Sequence, residues 1–208
     1  TNGLGVTLKV TFFAVLIGIV LGFLVGIIRS THERTGKFKF LNAICKVYLT
    51  VIRGTPVVVQ LLIIYFVIFA STDVSKVFAA IMAFGINSGA YVAEICRSGI
   101  MSIDIGQLEA GRSLGFSYGR TMWYIILPQA FKNVLPALGN EFIVLLKETS
   151  VAGYIALEDL TKGGDIIRSR TYDAFFPLMA VAAIYLIMVV VFSHFVTLLE
   201  RRLKKSER

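Results

Sequence analysis

Three polar side chains, Asn87, Tyr91 and Glu94, recur at i, i+4 and i+7 within an apolar stretch, and Ser88 adjoins them. That spacing places them on one helix face. An ionisable group at membrane depth is costly unless it faces protein or water, so such a stripe marks a pathway or a binding site. A second set, Lys132, Asn133, Asn140 and Glu141, with Lys147 and Glu148 beyond, accompanies Pro128 and Pro136. Both prolines remove a backbone donor and are expected to bend or interrupt their helix. Stepping 1.5 Å per residue inward from Val77 and outward from Ala130 puts Asn87 at roughly 15 Å and Glu141 at roughly 16 Å, both near a bilayer midplane. Asn87, Ser88, Tyr91, Glu94, Glu141 and Glu148 therefore form a candidate polar site. The plainer alternative is packing ion pairs, Glu94 with Arg97 and Glu141 with Lys132 or Lys147.

A third informative stretch runs from Asp104 to Gly115. Asp104 followed by Gln107 has capping-box spacing, and Gly115 stands where a left-handed residue would close the helix. A short helix over about 105–115 is expected, outside the bilayer. The small residues Ala110 and Gly111 would let a partner surface approach, and Glu109 and Arg112 add charge on neighbouring faces.

The elements that carry these groups follow from composition. The chain has 208 residues, 56% of them hydrophobic and only 16% charged, with a mean hydropathy of +0.77. The charges gather between long apolar runs, the pattern of an all-α, multi-span membrane protein. Spans are expected at about 6–28, 50–70, 77–99, 123–147 and 177–199. The second is the least regular: Pro56–Ala70 is short, and Leu41–Ile52 extends it as an interfacial or inclined helix. Basic residues number fourteen in 29–53, 97–122 and the tail 200–208, against four (Lys76, Lys162, Arg168, Arg170) in the other connections. By the positive-inside rule the N-terminus is outside and the C-terminus cytoplasmic, with the loop 100–122 inside. The same placement assigns the net charge of +8 to topology, and no nucleic-acid partner is expected. The first apolar run is too long for a signal-peptide core and lacks a basic segment before it, so no removable leader is expected. Gly18, Gly22 and Gly26, and again Gly85 and Gly89, form ridges that admit a close helix neighbour. Cys45 and Cys96 show neither disulfide nor metal-ligand spacing and read as packing residues; no metal site is signalled.

Glu109-Ala110-Gly111, three residues, Gly115, nine residues and Ile125-Ile126-Leu127-Pro128 resemble the EAA loop of permease subunits of binding-protein-dependent ABC importers. Gly111 stands where that family usually has Ala. Arg53-Gly-Thr-Pro-Val-Val-Val-Gln-Leu61, Ala90-Tyr-Val-Ala-Glu-Ile-Cys-Arg97, Leu127-Pro-Gln-Ala130 and Leu146-Lys-Glu-Thr-Ser150 are similar to the polar amino-acid branch, the histidine, glutamine and arginine systems. The resemblance implies a MetI-like permease fold: five transmembrane helices with a cytoplasmic coupling helix, in a cell inner membrane. It further implies docking of Gln107, Glu109, Ala110, Gly111 and Gly115 in a separate ATPase present in two copies, which binds the ATP and Mg. A second permease subunit, identical or related, and an extracytoplasmic substrate-binding protein complete the implied assembly. The polar site then becomes one for an amino acid, and its excess of carboxylates over cations points to a basic one. Glu158, beside Asp159 and Asp165 in the outer connection, is expected to border that site as part of an outer gate.

Two other classes compete. Buried carboxylates could carry protons in an ion-coupled secondary amino acid transporter, although five spans show no inverted repeat. A serine enzyme built on Ser88 lacks a histidine at matching depth, because His194 lies towards the inner end of the last span and reads as a packing residue. The chain carries no GxxxxGK[ST] of its own: Gly115-Phe-Ser-Tyr-Gly-Arg-Thr121 has three intervening residues and Arg for Lys, so hydrolysis of ATP falls to a partner and this chain is not an enzyme.

Overall fold

A computed structural model describes residues 2–205; Thr1 and residues 206–208, among them the basic Arg208, lie outside the described residues, and the side chains of Lys204 and Lys205 are likewise not described. The described residues are helical with short connections. Helix α1 (Asn2–Thr35) is followed by α2 (Lys39–Gly54), α3 (Val57–Ile63) with a π-helical continuation Ile64–Ile68, and α4 (Lys76–Met101). Then come α5 (Ile105–Ser113), α6 (Tyr118–Thr121) with a π turn Met122–Ile126, and α7 (Leu127–Glu148). A 3-10 stretch Thr149–Ile155 leads to α8 (Leu160–Thr171) and α9 (Phe175–Lys205).

The glycines of α1 account for its partner. A Cβ on Gly18 would meet Ser88 Oγ at 2.8 Å, one on Gly22 would meet Ala93 N at 2.8 Å, and one on Gly26 would meet Cys96 Cβ at 2.8 Å. Positions rise together on both helices, so α1 and α4 run parallel with backbones in close approach. Gly85 returns the contact, with Ile17 Cβ 2.9 Å from where its own Cβ would sit. The seam buries Val10, Ala14, Val15, Ala80, Ala83 and Phe84 in the main core, along with Leu61, Leu145 and Ile155 from neighbouring elements. Helix α7 runs antiparallel to α4, because Ser88 pairs with Glu141 while Ser102 pairs with Asn133. Helix α9 reverses again: Gly139 abuts Val196, and Phe142 stacks edge-on with Phe192, centroids 4.9 Å apart.

Several sequence expectations change here. Among the described residues, only α1, α4 and α9 qualify by length and apolarity as single-helix spans, and the pair Lys39–Gly54 with Val57–Ile68 qualifies as a bent span, turned by 108°. The expected span 50–70 thus straddles a break at Thr55-Pro56, both extended, where proline cannot continue α2. The expected span 123–147 is helical but not apolar enough to qualify, since Lys132, Glu141 and Lys147 interrupt it. Nor do its prolines interrupt it. Pro128 sits in the first turn, where its missing N–H costs nothing, and α7 continues through Pro136. His194 is exposed on α9 instead of packed. Cys45 and Cys96 are buried free thiols.

The short loop helix forms as its sequence suggests, with one difference. Asp104 accepts from Gly106 N at 2.6 Å, not from the Gln107 amide that a capping box would use. Gly115, at φ +83°, closes it. Its N–H reaches Arg112 O at 2.9 Å and Phe116 N–H reaches Gly111 O at 3.1 Å, the paired bonds of a Schellman end.

Candidate functional site

Helices α4 and α7 enclose a cavity of about 640 Å³ together with Arg53 from the end of α2. Its polar lining is Arg53, Tyr91, Glu94, Ser98, Ser102, Asn133 and Glu141. Tyr91, Glu94, Ser98 and Ser102 prolong the predicted stripe by two further turns towards α5, since helix spacing returns to one face every three to four residues.

The predicted residues divide into three groups. Tyr91, Glu94 and Glu141 line the cavity. Asn87 and Ser88 stand behind it: Ser88 is fully buried and donates to Glu141 Oε1 at 2.9 Å, and Asn87 donates to Gln60 Oε1 at 2.9 Å. Glu148 and Glu158 are outside the lining. Glu148 is the half-buried last residue of α7, seven residues or roughly 10 Å beyond Glu141. Glu158 is exposed ahead of α8, on a connection whose only buried acid is its neighbour. That neighbour, Asp159, caps α8 by accepting from Thr161 N and Lys162 N. Burial raises its carboxyl pKa despite those amides. Asp165 shifts the other way, because hydrogen bonds from Lys162 and Arg168 hold it below the ordinary carboxylate range.

The two cavity carboxylates differ in their company. Glu94 takes Arg97 as its partner, as the packing alternative anticipated, and accepts from Arg29 at 3.5 Å; Glu33 joins through Arg97 at 3.1 Å and Arg29 at 3.4 Å. This network ties the C-terminal end of α1 to α4. Glu141 accepts from Ser88, a neutral donor on α4.

Arg53 lines the same cavity and is absent from the site residues expected from the sequence. It lies 3.9 Å from Glu94 Oε2, and its guanidinium carbon is 5.7 Å from the Tyr91 ring centroid, a cation–π contact. A signal was present: Arg53 immediately precedes Gly54-Thr55-Pro56, a helix stop in mid-run. In the sequence it counts among the basic residues of 29–53 and opens the segment 53–61 that is similar to the polar amino-acid branch.

On the loop helix and its end, Gln107, Glu109 and Ala110 are exposed, as is Gly115. Gly111 is not available to a partner. It is buried against the chain itself, and a Cβ there would lie 2.5 Å from Thr121 Cγ2. The small third residue thus admits α6, in this chain, and not a foreign surface. Ile105 and Leu114 flank the exposed face, 61% and 75% exposed.

Residues 14–205 match the family described as binding-protein-dependent transport system inner membrane component. The chain is 37% identical over 208 residues to the arginine transport system permease protein ArtQ of Bacillus subtilis, covering 99% of this chain and 93% of that one. It is 38% identical over 199 residues to the glutamine transport system permease protein GlnP of Escherichia coli K12, covering 94% and 90%. Among solved structures, an amino acid ABC transporter with histidines superposes with TM-score 0.87 at 46% identity, covering 97% of this chain and 92% of that one. The MetNI methionine ABC transporter, at 21% identity, shares the fold with TM-score 0.83. With a seam of parallel α1 and α4, a polar cavity beside it and an exposed loop helix at its end, the chain belongs to the inner-membrane permease family of binding-protein-dependent ABC transport systems.

Proposed function

We propose that this chain forms the translocation pathway of an ATP-driven importer for polar amino acids, with basic ones favoured. The observation that carries the reading is the unlike pair of charges, Arg53 and Glu141, that line one cavity. Arg53 offers a planar, bidentate donor suited to an α-carboxylate. Glu141, which accepts from the Ser88 hydroxyl and lines the cavity, suits an ammonium or guanidinium. Asn133, Ser98 and Ser102 supply neutral polar positions on the inner side. Glu94 serves the arginine network first and the cavity second, and Glu148 and Glu158 act, at most, along the route to the site.

The five-span topology belongs to the same reading. Parallel α1 and α4 require the chain between Thr35 and Lys76 to return across the membrane, which the bent α2–α3 pair can do; α7 and α9 then alternate. The basic loops place the N-terminus outside and α5 in the cytoplasm. There Gln107, Glu109, Ala110 and Gly115 meet an ATPase subunit, two copies serving two permease subunits, and that ATPase holds the ATP and Mg. A substrate-binding protein delivers from the other side. Nothing in the relatives' names favours the ion-coupled alternative.

Reconstituted with its ATPase and binding protein, the unaltered chain is expected to take up arginine or lysine in an ATP-dependent manner. Glu141→Gln, which keeps an acceptor for Ser88, is expected to lower basic relative to neutral amino-acid uptake by roughly tenfold, the scale of one lost hydrogen bond to a charged group. An unchanged preference rules out Glu141 as the selecting charge.

A further inference from the structure

Arg53 owes its position to a broken helix, and the break has unusual support. The carbonyls that end α2 lack intrahelical partners, and at membrane depth no bulk water replaces them. Gln60, on α3 beyond the break, reaches back. Its Nε2 donates to Ile52 O at 2.7 Å, Thr55 O at 3.0 Å and Thr55 Oγ1 at 2.8 Å, two N–H groups shared among three oxygens. Ile52 and Thr55 flank Arg53 and Gly54, so a single side chain fixes the backbone on both sides of the arginine.

The amide's orientation is forced. With Nε2 committed to three oxygens, Oε1 must face the other way, and there it accepts from Asn87 Nδ2 at 2.9 Å. Asn87 belongs to α4, one turn before Tyr91, whose ring lies under the Arg53 guanidinium. Gln60 and Asn87 are 7% and 2% exposed, and neither lines the cavity. An amide pair that touches no solute yet holds both the backbone beneath Arg53 and the helix carrying its stacking partner has a positional role.

We infer that the Gln60–Asn87 pair is a positioning device that holds the Thr55-Pro56 break to α4, so that Arg53 presents its guanidinium to the solute's carboxylate. The inference rests on the proposed role of Arg53, and the test separates the two. The permease–ATPase complex is purified without binding protein, and equilibrium binding is compared for an amino acid and for its carboxamide, which lacks the anionic carboxylate. Arg53→Gln is expected to bring the two affinities together. Gln60→Glu, isosteric but unable to donate to the carbonyls, and Asn87→Ala, a milder loss of the anchor, are expected to cut the acid-over-amide preference by roughly tenfold with Arg53 still in place. A purely structural role would weaken both ligands equally and leave their ratio intact. If Arg53→Gln erases the preference while both amide variants retain it, the positioning inference fails. If Arg53→Gln itself leaves the preference, the role of Arg53 fails first. Where Gln60→Glu does not assemble with the ATPase, Asn87→Ala alone decides between these outcomes.

Discussion

Gly111 and Ala110 are adjacent, similar in size and opposite in consequence. Gly111 is pressed against Thr121, so Gly111→Val must displace α6 or lift α5; overpacking of that kind costs about 1–3 kcal/mol, and hydrogen exchange over 105–121 should rise. Ala110 is exposed, so Ala110→Glu should leave that exchange unchanged and reduce co-purification of the ATPase. Reversed outcomes would exchange the inner and outer faces of α5. The sequence displayed this helix, its start at Asp104 and its end at Gly115, because caps are local. It could not display which small residue faces the body, since that depends on Thr121 ten positions away. The same limit hid Arg53. Its neighbours Gly54 and Pro56 announced a break, but the ring beneath it comes from Tyr91, and only tertiary contact links the two.

At the level of elements, the junctions between helices carry more polar support than their lengths suggest. Arg34 of α1 donates to Ile100 O and Ile103 O, both at 3.0 Å, satisfying carbonyls at the end of α4. Arg34→Met removes both charge-assisted bonds and is expected to lower stability by about 1–3 kcal/mol, read as a lower melting temperature of the purified complex. Removing the charge of Glu33, which reaches Arg97 near the surface, should cost far less. The length of their apolar runs made α1, α4 and α9 legible in advance. The polar α7 was legible as well, but its prolines do not interrupt it: an isolated Pro136 costs one hydrogen bond, and packing against α4 and α9 outweighs it. The true discontinuity lies at Pro56, where preceding Thr55 is already extended.

For the molecule as a whole, orientation is the boldest consequence of the charge pattern. Cys45 and Cys96 are 7% and 1% exposed, so single added cysteines can report sidedness without removing them. Lys37→Cys, in the exposed link between α1 and α2, should react with impermeant maleimide only from the cytoplasmic side. Tyr172→Cys, replacing a residue that is 96% exposed after α8, should react only from outside. Labelling of both from one side would overturn the alternating arrangement of α1, α4, α7 and α9.

Only Ser102, Ile103 and Asp104 separate α4 from α5. All three are engaged: Ser102 Oγ with Gly99 O and Asn133, the Ile103 carbonyl with Arg34, and Asp104 with Gly106 N. Such a joint has no slack. If the loop helix docks as proposed, a pull on it would not be spent in stretching a tether; it would reach Ser98 and Glu94 in the cavity wall, and the close glycine seam would carry α1 along.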